Sequence, residues 1–300
     1  MHESGSAETE SGSEPVEALS PLLEMADRKE SLRRLISSLI LAGVIAALAA
    51  SSATASTRRF TGKDGTQSVS ANWSGYTLQD ANDAGLEFTS VTGTWRVPTT
   101  TCDSGADASA AFWVGLGGSS DSASGLEQTG TGVDCTNGTP RYYAWYEILP
   151  ASAIEVPLKV KPGDQITTSV NVNGTTVLVQ IKNRTRKTSF TKALQVDEPD
   201  LSSAEWIAEA PSNCDPGGRC TVLPLANFGT VNFTRAATIA TSHPGTISDP
   251  TWANVAISLI PETARFFAAR GSSSTAGAAP GALSADGRSF AVSWLANSTP

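Results

Sequence analysis

Few residues of this chain can do chemistry, and most of those are carboxylates and amides. The stretch SSAEWIAEAP (202–211) places Glu205 and Glu209 around a tryptophan in a chain with only 17% charged residues. Upstream, SGLEQTGTG (124–132) offers Gln128 between small residues that would let a substrate backbone approach. A carboxylate can take a proton from water and return it to a leaving group, while a glutamine NH2 stabilises an oxyanion without titrating. On sequence alone, an ordinary polar role in a strand or loop is still favoured for Gln128.

Histidine chemistry is disfavoured. The chain has two histidines, and His2 lies in an amino-terminal segment that we expect to be removed. His243 lies in SHPG, a turn-like sequence in which an exposed histidine is more usual than a catalytic base. A Ser-His-Asp triad and a zinc hydrolase both lack the imidazoles they need, so we expect no metal and no other cofactor.

The four cysteines predict disulfides rather than reactive thiols. They are an even number in a chain with an export signal, so pairing is the default. Three pairings are possible. The local one joins Cys102 to Cys135 and Cys214 to Cys220. Zinc is the alternative for the turn CDPGGRC (214–220), but the spacing is not C-x-x-C and histidines are missing.

Residues 1–55 have the features of a signal peptide. RKESLRR precedes LISSLILAGVIAALAA, an apolar run shorter than the roughly 20 residues of a membrane span. Ala53-Thr54-Ala55 then fits the A-x-A cleavage pattern. The acidic segment before Met25 is unlike the start of a signal peptide, which favours Met25 as the true start. We expect cleavage after Ala55, a secreted, extracellular protein and no membrane contact afterwards; a retained single-span anchor is the alternative.

The charge balance gives no reason to expect a nucleic-acid partner. Without residues 1–55 the chain keeps 17 Lys and Arg against 21 Asp and Glu, a formal charge of −4. The basic run KNRTRK (182–187) is more typical of a solvated strand end or hairpin than of a nucleic-acid site.

From Ala71 onward the sequence is typical of β-structure. Short runs of β-branched and aromatic residues at period two are separated by turn residues, and Asn173-Gly174 marks a hairpin. About ten or more strands without βαβ alternation predict an all-β fold with little helix. We expect one antiparallel β-sandwich domain of two large sheets, lectin-like as in concanavalin A, over residues 71–300. Residues 56–70 are expected to be a flexible start or a short pro-segment, and 270–286 a surface loop.

Seven motifs follow one another along the chain. They are ANWSGY (71–76), VTGTWRVP (91–98), AFWVGLGG (111–118), EQTGTG (127–132), YYAWYEILP (142–150), SAEWIAE (203–209) and NFGTVNF (227–233). In this order they closely resemble the glutamic peptidases, the eqolisins. The pairing of QTG with AEW is specific, whereas each alone would be weak. LSADGRSFAVSW (283–294) also resembles the closing strand of bacterial relatives.

The resemblance implies an acid endopeptidase on a sandwich of two antiparallel sheets, with a catalytic glutamine and glutamate on one concave face. Matching QTG gives Gln128, and matching AEW gives Glu205. Glu205 would act as general base and acid on a water molecule, and Gln128 would stabilise the oxyanion. We expect protein or peptide substrates and a monomeric enzyme.

Further residues are expected around this dyad. Strand alternation puts Glu209 on the same face as Glu205, where it would raise the pKa of Glu205, so Glu209 ranks second. The resemblance implies that tryptophans line the cleft, and core packing is an equally good interpretation for each of them. The expected cleft residues are Trp73, Trp113, Trp145, Glu147 and Glu209.

Two positions depart from the family pattern. Gly117 stands where an acidic residue is common in W-V-G-I-D-G, and Tyr143 stands where an Asp precedes A-W-Y. These departures leave the class intact but bear on the pH optimum.

The alternative function is a non-catalytic carbohydrate-binding module with tryptophans stacked on sugars, since fold alone does not separate a peptidase from such a module. A glycosidase pair such as Glu147 and Glu205 has no support from its sequence contexts.

Overall fold

The structure is a computed structural model, and it describes the chain from residue 58 to residue 296 with gaps. The described residues are 58–62, 65–82, 84–105, 107–119, 123, 125–215, 220–260 and 277–296. The predicted signal peptide (1–55) and the predicted start at Met25 lie outside them. No helix in these ranges is long and apolar enough to cross a membrane.

Nineteen strands account for the regular structure of the described ranges. They are β1 (Arg58–Gly62), β2 (Gly65–Ser70), β3 (Trp73–Gln79), β4 (Phe88–Arg96), β5 (Ala108–Gly117), β6 (Leu126–Thr136), β7 (Thr139–Ile148), β8 (Ile154–Val156), β9 (Gln165–Asn173), β10 (Thr176–Asn183), β11 (Thr188–Gln195), β12 (Ser203–Glu209), β13 (Ser212–Cys214), β14 (Cys220–Val222), β15 (Thr230–Ala240), β16 (His243–Gly245), β17 (Ala253–Leu259), β18 (Gly277–Pro280) and β19 (Phe290–Leu295).

The first sheet contains the strands with the candidate catalytic residues. Its strands lie in the order β8-β7-β6-β5-β12-β3-β17-β2-β1. These pairs are antiparallel except β2 with β17, which is parallel. Since β5 lies between β6 and β12, side chains of these three strands can share one face in register.

The second sheet has the order β11-β10-β9-β4-β15-β16. Strand β15 takes part in both layers. Its first residues pair with β19, which is joined through β18 to β17 of the first sheet, and the rest pair with β4. The pairing register shifts between Thr234 and Ala237, and Arg235 there has a φ of 54°. Such a bulge is how a strand crosses from one sheet to another. The predicted all-β, antiparallel sandwich of two large sheets is therefore confirmed.

The core lies between the two sheets and follows from the period-two pattern. Along β9, for example, side chains alternate between buried and partly exposed. Trp206 of β12 belongs to this core, and its indole Nε1 donates to the backbone oxygen of Thr92 on β4 at 2.8 Å. Trp206 thus points away from the face that carries Glu205, as strand alternation predicts.

The predicted hairpins and disulfides are confirmed. Asn173 pairs with Thr176 across a turn in which Gly174 has a φ of 58°. The run KNRTRK ends β10 and forms the turn over residues 184–187 that leads into β11. The disulfides join Cys102 to Cys135 and Cys214 to Cys220, the local pairing, and the second closes the β13–β14 hairpin.

Two segments contain more regular structure than the sequence indicates. Residues 58–62 and 65–70 form β1 and β2, which extend the first sheet at its edge. Removal of these residues during maturation stays a prediction. Within 270–286, expected to be a surface loop, residues 277–280 form β18, with Ala278 fully buried. β18 pairs with β17 on one side and with β19 on the other, and its Gly/Ala-rich sequence gives no sign of these pairings.

Candidate active site

Gln128 and Glu205 are aligned by the strand that lies between them. Gln128 on β6 and Glu205 on β12 are each paired with Gly115 of β5. Neighbouring strands are about 4.8 Å apart, so the two residues lie about 10 Å apart at the backbone and project from the same face. They are separated by 77 positions in the sequence but share one row of the sheet.

Gly115 lets neighbouring side chains pack closely over the gap between Gln128 and Glu205. A Cβ added at position 115 would lie 2.9 Å from Trp113 Cζ3, 3.1 Å from Leu126 Cδ1 and 3.2 Å from Gln128 Cβ. Any side chain at this position would therefore collide with these residues. A glycine at such a place is typical of close packing against the backbone.

Glu147 continues the same row on the other side of Gln128. It is paired with Gln128 across β6 and β7, and Gln128 Nε2 donates to Glu147 Oε2 at 2.6 Å. Because a carboxylate only accepts hydrogen bonds, this contact fixes the amide with its NH2 group toward Glu147. One N–H is used in this bond, and the other remains for a second acceptor.

Glu205 is fully buried, and neither carboxyl oxygen has a hydrogen-bond partner among the described residues. Burial raises the pKa of Glu205 well above the ordinary 4.5, and the charges of Asp200 and Glu127 raise it further. The nearby Ser203 hydroxyl lowers this pKa, although it does not reach hydrogen-bonding geometry. Buried acceptors without a protein partner mark a place for a water or a substrate group.

Asp200 is a site residue that the sequence analysis missed. Its backbone N–H donates to Glu127 Oε1 at 3.4 Å. A Cβ at Gly117 would lie 2.5 Å from Asp200 Cβ, so the Asp200 side chain occupies the space beside residue 117. A carboxylate thus adjoins position 117 although that residue is glycine. The only sequence signal was an aspartate five positions before Glu205.

Glu127 was also missed as a site residue, because it faces away from Gln128 in the same strand. It is fully buried, and burial raises its pKa to about 8, with a further increase from the charge of Asp200. A glutamate next to the candidate catalytic glutamine was visible in the sequence, but nothing there indicated its burial.

Glu209 lies on the same face of β12 as Glu205, four residues further along the strand. Trp113 Nε1 donates to Glu209 Oε2 at 2.8 Å, and Asn72 Nδ2 donates to Glu209 Oε1 at 3.1 Å. Burial raises the pKa of Glu209 to about 8, and the charge of Glu147 adds to this. Both oxygens of Glu209 therefore already accept hydrogen bonds from protein donors.

The three predicted cleft tryptophans share this face. Trp73, Trp113 and Trp145 belong to a cluster distinct from the main core, and all are buried. The Trp73 and Trp113 rings meet edge to face with centroids 4.9 Å apart. The structure therefore brings these tryptophans together with Gln128, Glu147, Glu205 and Glu209, and their role as substrate-lining residues stays a prediction.

Tyr143, the second departure from the family pattern, packs on a glycine of the neighbouring strand. A Cβ at Gly132 would overlap the Tyr143 ring, so the ring occupies that space. The hydroxyl donates to Asp134 Oδ1 at 3.3 Å, and the Arg141 guanidinium lies 4.7 Å from the ring centroid. Burial raises the pKa of the Tyr143 phenol, so this position contributes no negative charge to the face.

The remaining candidates lie outside this face. His243 is half-exposed at the β15–β16 turn and its Nε2 lies 3.1 Å from Asp249 Oδ2. The four cysteines form the two disulfides. Within the described ranges, no group of three or more His, Cys, Asp or Glu side chains is arranged to hold a metal ion.

The comparisons with known proteins agree with the geometry. The model of the Peptidase A4 family matches residues 71–263. Scytalido-glutamic peptidase, solved with a peptide-based transition state analog, is 23% identical with a TM-score of 0.59 over 75% of this chain and 98% of its own. SCP-B, an eqolisin solved with the tripeptide Ala-Ile-His, is 23% identical with a TM-score of 0.56 over the same shares.

Aspergilloglutamic peptidase from Aspergillus niger is 26% identical over 62% of this chain and 99% of its own, with a TM-score of 0.49. No curated protein sequence matches the chain at a significant level. The solved structures share the fold, and the family model covers more than half of the sequence. This chain belongs to the Peptidase A4 family, the glutamic peptidases or eqolisins, and is a peptide hydrolase.

Proposed function

We propose that the protein is a secreted acid endopeptidase in which Glu205 and Gln128 act together on one water molecule. The observation that carries this proposal is the shared pairing of both residues with Gly115, which places an acid and an amide on either side of one gap in the same row of the sheet. The absence of a protein partner on either Glu205 oxygen within the described chain supports a water in that gap.

The reaction needs no covalent intermediate. Ionised Glu205 takes a proton from the water as its oxygen attacks the carbonyl carbon of the scissile bond. The free N–H of Gln128 donates to the oxyanion that forms, while Glu147 holds the amide in this orientation. Protonated Glu205 then donates to the leaving nitrogen as the C–N bond breaks, which yields a carboxylic acid and an amine.

The surroundings of Glu205 set the pH range of this chemistry. Only ionised Glu205 accepts the proton of water, so its raised pKa moves the acid limb of activity above the ordinary value of 4.5. A base of higher pKa is also a stronger base once ionised. We therefore expect activity under mildly acidic rather than strongly acidic conditions.

Peptide substrates and secretion are supported by separate observations. The related structures carry a peptide-based inhibitor and a tripeptide, which supports peptides or proteins as substrates here. Two disulfides favour an oxidising compartment, in keeping with the signal peptide expected over residues 1–55.

A cleavage assay tests the proposal. The secreted protein is incubated with a denatured protein between pH 2 and 7, with and without a chelator and an aspartic-peptidase inhibitor. We expect cleavage that survives both additives and is lost in Glu205→Gln and in Gln128→Ala. The control is Glu198→Gln, which removes an exposed glutamate. Cleavage abolished by either additive, or retained in Glu205→Gln, contradicts the proposal.

A further inference from the structure

We propose that Glu209 is a positioning residue that holds the Trp113 indole against the gap between Gln128 and Glu205, and that Asn72 fixes Glu209 in this role. The proposal rests on the proposed function and assigns a task to the glutamate that the mechanism leaves unused. Asn72 and Trp113 are hydrogen-bonded to Glu209, and the Trp113 ring fills the space that a side chain at position 115 would take.

The indole of Trp113 spans the distance from Glu209 to the gap. Its pyrrole Nε1 donates to Glu209 Oε2 at 2.8 Å. Its opposite edge reaches Gly115, because a Cβ there would lie 2.9 Å from Trp113 Cζ3. Rotation of the indole would therefore move the atoms that cover Gly115 in this gap. The hydrogen bond that Trp113 Nε1 donates to the fully buried Glu209 carboxyl group resists that rotation.

Asn72 holds the other oxygen of Glu209. Its Nδ2 donates to Glu209 Oε1 at 3.1 Å, and its Oδ1 accepts the Ser70 hydroxyl at 3.2 Å. Ser70 Oγ also accepts the backbone N–H of Trp73 at 3.1 Å. Ser70 ends β2, which pairs with β17, so this network connects the edge of the first sheet to Glu209.

The same contacts distinguish Glu209 from a general base. Both of its oxygens accept hydrogen bonds from protein donors, whereas those of Glu205 have no partner in the described ranges. An acceptor already occupied by two donors is poorly placed to take a proton from water. The arrangement suits a carboxylate whose task is to orient its neighbours.

A residue exchange tests the proposal. Glu209→Gln puts an amide NH2 against the Asn72 NH2, and Asn72→Asp removes the Nδ2 donor, so each single variant loses the hydrogen bond from Asn72 Nδ2 to Glu209 Oε1. In the double variant the new amide donates to Asp at position 72 and still accepts from Trp113. All variants are compared by kcat and KM on one peptide, by thermal midpoint and by tryptophan fluorescence, with the exposed Glu87→Gln as control.

We expect each single variant to lower kcat by about 10- to 100-fold with KM within about twofold, since small misplacements near reacting atoms have such effects. The double variant should recover most of this loss. Trp113→Phe provides a second measurement if the double variant does not fold. It removes the Nε1 donor but keeps a ring. When it is combined with Glu209→Gln, kcat should be no lower than in the more impaired of the two single variants.

Unchanged kcat in Glu209→Gln overturns the proposal. The proposal is also overturned if the Asn72/Glu209 double variant does not recover kcat and if the losses of kcat in Glu209→Gln and Trp113→Phe add when the two are combined. A wild-type protein that cleaves no peptide would instead overturn the proposed function, so the two failures are distinguishable.

Discussion

The Gln128 side chain donates from Nε2 to Glu147 Oε2 at 2.6 Å, across neighbouring strands of the first sheet. A free glutamine amide can turn its oxygen or its nitrogen toward a developing oxyanion, and only the nitrogen stabilises it. The carboxylate of Glu147 selects the productive orientation, and its full burial keeps water from replacing it.

Removal of this carboxylate should slow catalysis without preventing folding. We expect Glu147→Ala to lower kcat by about 10- to 100-fold, because an oxyanion donor that is not held in place contributes little. Glu147→Gln keeps an acceptor oxygen and should retain more activity than Glu147→Ala. Steady-state kinetics on a peptide substrate measures both, and equal kcat in all three proteins would contradict this role.

A methyl group at position 115 should displace the side chains that border the gap. Gly115→Ala places a Cβ within 3.2 Å of Gln128 Cβ, so we expect kcat to fall by about 100-fold or more. Gly105→Ala is the matched control, because a Cβ there meets nothing within 4 Å. Circular dichroism reports whether both variants fold. A folded Gly115→Ala variant with wild-type kcat would contradict a role in catalysis for the packing over residue 115.

The features of the fold and the site that could be predicted from the sequence are those set by residues close together in the chain. Asn173-Gly174 and the two disulfide pairings were predictable because turn chemistry and short loops act between neighbours. The alternation that separates Glu205 from Trp206 was predictable for the same reason. The motifs were enough to choose Gln128 and Glu205, but their common partner Gly115 is a matter of strand register, which depends on pairings distant in sequence.

The other site contacts depend on burial and on distant loops. Asp200 fills the space beside Gly117, and nothing in either local sequence indicates that approach. The contact of Asn72 with Glu209 joins positions 137 residues apart. β2 was concealed because it pairs in parallel with a strand from the far end of the chain. In each case the missing information was which strands are neighbours.

The acid limb of the activity profile should depend on Asp200. Its negative charge raises the pKa of Glu205, so Asp200→Asn should move the acid limb of kcat/KM to lower pH. The substitution keeps an oxygen to accept the backbone N–H of Ser202, which Asp200 binds at 2.9 Å. The exposed Asp103→Asn serves as the control, and its acid limb should coincide with that of the wild type. A shift of the Asp200→Asn limb to higher pH would contradict the assignment.

Stability should fall as pH rises from about 4.5 to about 8. Glu127 keeps its proton in the folded state up to a pKa of about 8, whereas its ordinary value is 4.5. The folded state therefore binds more protons than the unfolded state in this window. The stability that this group contributes is complete below 4.5 and is lost as pH rises through 8. One such group accounts for up to about 1.4 kcal/mol per pH unit.

Glu127→Gln tests this directly, because an amide resembles the protonated acid and does not titrate. Urea unfolding at several pH values should give a shallower decline for the variant than for the wild type. At pH 4 the two proteins should have similar stability. Parallel declines across the whole range would mean that Glu127 does not contribute.

The most direct measurement of the central claim is a double-variant cycle on Gln128 and Glu205. Two groups that act on one water molecule form a unit, so loss of either removes most of what both provide. We predict that kcat/KM falls by at least about 100-fold in Gln128→Ala and in Glu205→Gln. The double variant should be no more than about tenfold worse than the more impaired single variant. A loss of kcat/KM in the double variant equal to the product of the two single fold losses would contradict a shared water between these residues. Wild-type kcat/KM in either single variant would also contradict it.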